Sequence, residues 1–184
     1  MSTTTIIVLA IAAIVVAFGT YFYLQRRRTR TLHGRFGPEY ERTLAEVGDR
    51  SKAESELEQR TRRVGRYPIR ELSKGEQERF AEAWRTCQAR FVDQPGEALK
   101  QAHDLVNELM RESGYPVSAE FERNAADLSV DHPGVVAHYR VACDIAARQN
   151  RGEGNTEELR NAMVHYRALF EDLLGLHVAR EINK

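Results

Sequence analysis

Apolar positions along this chain follow two patterns. From Ile6 to Leu24 they run for 19 residues without a charge. A helix of that length spans about 28 Å, the hydrocarbon thickness of a bilayer. Tyr21, Phe22 and Tyr23 stand at its end, where aromatic rings favour the membrane interface. Beyond Leu24, apolar residues recur every three or four positions, the helical period. Over 38–66 that stripe is thin: Tyr40, Leu44 and Val47, a polar stretch from Gly48 to Ser55, then Leu57 and Val64. The pattern predicts a polar, partly docked stalk helix, with Pro38 in its first turn and a break point at Gly48.

Tyr67-Pro68 ends that element, because the residue before proline is pushed out of helical geometry. Ser73 and Glu76 form a capping-box signal ahead of Phe80, Trp84, Cys87 and Phe91, which share one helical face. The next helix presents Ala98, Ala102, Leu105 and Leu109 and stops at Gly114. A turn near Gln94-Pro95 would pair these two stripes as an antiparallel hairpin. After Tyr115-Pro116, a short helix over about 118–128 offers Phe121, Ala125 and Leu128 to the core. Asp131-His132-Pro133 then starts a helix carrying Val135, Tyr139, Ala142 and Ala146. Asn155 and Glu158 cap the last one, with Leu159, Met163, Tyr166 and Phe170. The fold class expected is all-α: a transmembrane helix (6–24) after a short tail (1–5), a basic juxtamembrane segment (25–37), the stalk (38–66), a four- or five-helix antiparallel bundle (67–175) and a C-terminal tail (176–184). Val92-Asp93-Gln94-Pro95-Gly96 and Val130-Asp131-His132-Pro133-Gly134 are read as one device used twice, an aspartate cap with proline in the first turn.

Composition narrows the function classes. The 184 residues suit one compact domain, and 42% hydrophobic with 29% charged is globular rather than disordered composition. The 27 basic and 27 acidic side chains cancel, so no global field draws the chain to nucleic acid. Two cysteines exclude a disulfide-stapled mini-protein and suit a reducing compartment. The charge is nevertheless uneven. Between residues 26 and 42, six arginines stand against Glu39 and Glu41, a net of +4, which leaves the remainder mildly acidic. Arg26, Arg27, Arg28 and Arg30 directly follow the apolar run. They are a topology signal placed to contact anionic lipid headgroups.

No phosphate-binding loop, HExxH, CxxC or nucleophile elbow occurs, and no glutamate stands three residues before a histidine as a di-iron bundle requires. No cofactor and no metal site are expected. The polar groups that gather in the second hairpin are His132, His138, Tyr139, Asp144, His165 and Tyr166. Imidazole beside carboxylate and phenol suits proton transfer or metal ligation. No three of these groups share one helical face, so the tyrosines are read as core rings whose hydroxyls reach the rim. Arg35-Phe36-Gly37-Pro38-Glu39-Tyr40, Arg90-Phe91-Val92-Asp93, Gly114-Tyr115-Pro116-Val117, the stretch Ala126 to Pro133, and His165 to Phe170 give the chain a further aspect. Through them it resembles an uncharacterised family of small bacterial membrane-anchored proteins, usually labelled hypothetical or secreted. That resemblance implies a bacterial plasma membrane and assigns no activity, cofactor or site residue.

The expectation is therefore a single-pass plasma-membrane protein, N-terminus outside and C-terminal domain cytoplasmic, acting as an interaction or scaffolding module for a protein partner rather than as an enzyme. The alternatives are an enzyme or small-ligand binder using the His/Tyr cluster, or an extracytoplasmic domain. A membrane-impermeant thiol reagent should label a cysteine placed at Ser2, and not one placed at Ser51, in intact cells. Labelling at residue 51 alone reverses the orientation.

Overall fold

The computed structural model describes the backbone of residues 3–175, and side chains from residue 12 onward. Met1, Ser2 and the tail expected over 176–184 lie outside the described residues. Among the described residues there are eight helices and no strand, so the fold is all-α. An N-terminal arm comprises α1 (Thr3–Phe36), α2 (Pro38–Val47) and α3 (Arg50–Val64). The helical bundle comprises α4 (Lys74–Arg90), α5 (Pro95–Glu112), α6 (Phe121–Leu128), α7 (Val136–Asn150) and α8 (Thr156–Leu173).

The whole apolar stretch 6–24 falls within α1, but its side chains are described only from residue 12. Among the described residues no helix is long and apolar enough to cross a membrane, so the expected transmembrane span draws no support from them. The basic segment expected as a separate unit over 25–37 is instead the continuation of the same helix. At about 1.5 Å per residue, the 34 residues of α1 form a rod roughly 51 Å long. Its last turns enter the domain, where Leu32 is 7% and Phe36 0% exposed. Gly37 (φ +49) then turns the chain and Pro38 opens α2.

The stretch expected as one stalk helix is two helices folded on each other. Gly48 takes the left-handed conformation (φ +73), donates its N–H to Leu44, and leaves Asp49 to cap α3 by accepting from Lys52. The pair is also more deeply seated than a stalk, since Tyr40, Leu57 and Val64 are buried in the same core as the bundle. A thin apolar stripe suffices here because ion pairs complete the contact. Glu39, buried in α2, accepts from both terminal nitrogens of Arg140 in α7 at 2.8 Å and from Arg60 in α3 at 3.0 Å. The buried carboxylate of Asp127 in α6 takes Arg63 of α3.

Within the bundle, both capping boxes form as read, Ser73 with Glu76 and Asn155 with Glu158. The paired aspartate devices do not. Gln94 caps α5 without a side-chain bond, and α7 begins only at Val136. Asp131 is drawn away from its own helix because Arg35 and Tyr115 hold it from outside. Phe121, expected in the core, is 40% exposed, since α6 is a helix of eight residues that turns Ala125 and Leu128 inward instead. Trp84 stacks on Phe170 with ring centroids 4.7 Å apart, joining α4 to α8 across the bundle.

Trp84→Ala should cost about 3–5 kcal/mol in denaturant melts, the usual range for removing a large buried aromatic. Because Phe36, Tyr40 and Leu57 belong to the bundle's own core, a fragment of residues 25–175 should melt at higher denaturant than one of 67–175. Equal midpoints would show the arm to be energetically separate.

Candidate functional site

The prolines that end the helices also build the candidate site. Pro68 and Pro116 leave the chain unable to continue as helix on either side of the bundle's end. The connecting segment of residues 68–73 lies against the end of α5, where Arg70 donates its backbone N–H to Ser113 at 3.0 Å. Gly114 makes that approach feasible. Its φ is +89, and a Cβ there would sit 2.6 Å from the Pro68 carbonyl oxygen. The result is a cleft of about 590 Å³ between the start of α4, the end of α5, the 129–135 turn and the end of α8. Its size falls in the range of small-ligand pockets.

Two polar pairs line it. The His132 Nδ1 lies 2.5 Å from Asp172 Oδ2, which orients the ring and leaves Nε2 unengaged. The Tyr115 hydroxyl donates to Asp131 at 3.0 Å, and Arg35 grips the other oxygen of the same carboxylate at 3.2 Å. Burial, then the Asp131 charge, pushes the Tyr115 phenol far above its ordinary range, so it stays a donor. The Tyr115 and His132 rings meet edge to face at 5.9 Å. Arg35 also donates to the Val130 carbonyl at 3.2 Å, so the end of α1 is tied directly to this cleft.

The six polar residues singled out in the sequence do not converge. His132 belongs to the end cleft. His138 and His165 face each other across α7 and α8 with their Nδ1 atoms 2.7 Å apart, so one ring donates and the other accepts. Asp144 is exposed and pairs with Arg148 at 3.2 Å. Tyr139 and Tyr166 are 0% exposed, which corrects the expectation that their hydroxyls reach the rim. Instead the Tyr166 hydroxyl lies 2.8 Å from His103 Nδ1 and donates to Cys143 Sγ at 3.7 Å, while Asn107 engages the other nitrogen of His103. Burial pushes the thiols of Cys87 and Cys143 up to about 11, so neither is a thiolate at neutral pH. Among the described residues no group of three or more His, Cys, Asp or Glu is placed to hold a metal ion.

Of the four arginines expected at lipid headgroups, Arg26, Arg27 and Arg30 are exposed, whereas Arg28 turns back to Glu58 at 2.6 Å. A second cavity, about 780 Å³ between α2, α3 and α6, is lined by arginines and glutamates that pair with one another, as Arg140 does with Glu122. Arg35, His103, Tyr115 and Asp172 escaped the reading of the sequence. Their spacing carries no motif, since the contacts join positions dozens of residues apart. Comparison with family models, with curated proteins and with solved structures found no match.

The histidines make stability pH-dependent. Burial, and the facing His138, lower the His165 pKa, and burial lowers that of His103. Below about pH 6.5 the unfolded chain therefore binds more protons than the folded one. Stability should be full well above that pH and decline as pH falls through the ordinary histidine range. His165→Gln should flatten this decline in urea melts. An unchanged slope would mean that the pair does not resist protonation.

Proposed function

We propose that the chain is a membrane-tethered helical interaction module, anchored through residues 6–24, with its N-terminus outside and its domain on the cytoplasmic face of a bacterial plasma membrane. The observation that supports this reading most is the continuity of α1. One unbroken helix carries the uncharged run, the arginines and, by Leu32 and Phe36, the first layer of the core. An exposed apolar stretch from Ile14 to Leu24, more than half accessible at each large residue, needs an apolar medium to cover it. The arginines that follow it favour cytoplasmic placement, and Arg26, Arg27 and Arg30 are the ones placed to meet anionic headgroups. A protein partner is the natural occupant of a domain whose described residues gather no catalytic cluster from the second hairpin. Nucleic acid is not, given the balanced charge.

A tethered module works by concentrating its domain at a surface. In a strain lacking the gene, function should return with the domain on an unrelated single-pass anchor, and with His138→Ala combined with His165→Ala. It should not return with a soluble domain starting at residue 25. Rescue by the soluble domain together with failure of a folded histidine double variant would favour the enzyme reading, since losing a general base costs about 100- to 10,000-fold in rate.

A further inference from the structure

We propose that the cleft at the end of the bundle binds an alkylammonium group, a protonated amine carried on an apolar stem. This goes beyond the tethering role and does not depend on it. Most polar groups around the cleft are already satisfied by the protein. Arg70, the cation in its lining, is spent on Glu76 through two nitrogens at 2.9 and 2.7 Å. The Asp131 charge is matched by Arg35, and its oxygens are taken by Arg35 and the Tyr115 hydroxyl.

What is left unspent is mostly acceptor. Ser113, 5% exposed, lines the cleft with a buried hydroxyl that has no partner, a group that normally finds one. The His132 Nε2 also has no partner, and with Nδ1–H given to Asp172 a neutral ring offers its lone pair there. The carboxylates of Asp172 and Glu71 add negative charge without a dedicated arginine. A ligand entering here must bring N–H donors and positive charge, which excludes carboxylates and phosphates. The same cleft is lined by Ile69, Leu72, Leu173 and Leu174, apolar surface suited to a methylene chain. A lysine-like cation satisfies both halves, with its stem along the leucines and its ammonium reaching His132, Ser113 and the Asp172 carboxylate. Its source is either a free amine or a lysine side chain, Lys184 of this chain included.

The test is an NMR titration of the full chain in lipid nanodiscs, following the His132 ring and the Ser113 amide. n-Hexylammonium should shift both saturably, 1-hexanol should bind about tenfold more weakly, and hexanoate should not compete. Asp172→Asn should weaken hexylammonium about tenfold, the usual scale for removing one charge-assisted partner. Ser113→Ala should weaken it less, while Asp144→Asn on the exposed face of α7 should leave it unchanged. Tighter binding by Lys184→Gln would assign the natural cation to that side chain, and unchanged binding would assign it to an outside amine. The proposal is overturned if hexylammonium gives no saturable shift, if hexanol or hexanoate binds equally well, or if folded Asp172→Asn, judged by its circular dichroism melt, binds as before.

Discussion

Taking the carboxylate of Glu54 out of water costs several kcal/mol unless partners replace its hydration, and this residue is 0% exposed. The partners come from two other helices. Thr29 of α1 donates to Glu54 at 2.6 Å, Tyr40 of α2 donates to the same oxygen at 3.0 Å, and Arg28 of α1 stands 3.7 Å from the other. One oxygen of the α3 carboxylate is thus fully paired only when α1 and α2 are both in place. Losing it would leave the Thr29 and Tyr40 hydroxyls without this acceptor, so the carboxylate couples the seating of α1 and α2 on α3. Burial, and the Glu54 charge beside it, raise the Tyr40 phenol and keep it a donor to that carboxylate.

Glu39 repeats the logic one layer further in, holding α2 to α7 through Arg140 across 101 residues of sequence. Together these two acids explain how a segment with so few apolar residues is docked. Ion pairs alone make weak glue, because desolvation offsets most of their attraction. Here they are strong determinants of position, since each buried charge accepts only one arrangement of its neighbours. The consequence reaches α1. The last turns of this helix are held to the domain by Glu54, by the buried Leu32 and Phe36, and by the Arg35–Asp131 pair. Whatever covers its apolar half therefore sets the orientation of the whole bundle. Arg35 extends the same coupling to the cleft, where it fixes the carboxylate that orients Tyr115.

The helices themselves follow from local rules in the chain. The capping boxes at Ser73 and Asn155, the prolines at 38, 68, 95 and 116, and the stripes around Trp84, Leu105 and Phe170 specify where most helices start, stop and face. They do so because each signal acts within one turn of the residue that carries it. Gly48, read as a break point, is a break because its left-handed backbone is an intrinsic property of glycine. What the tertiary structure decided is every feature that depends on a distant partner. Asp131 carries a helix-cap signature, yet Arg35 and Tyr115 claim it. Arg28 belongs to a basic cluster, yet Glu58 turns it inward. The six polar residues of the second hairpin share a neighbourhood in sequence but disperse between a cleft, a histidine pair, a solvent face and the core. The cleft itself joins positions 70, 113, 132 and 172, and no periodicity encodes that meeting. Local propensity is written in neighbouring residues, whereas a site is written in which helix ends arrive together, and only the packing of the whole core determines that.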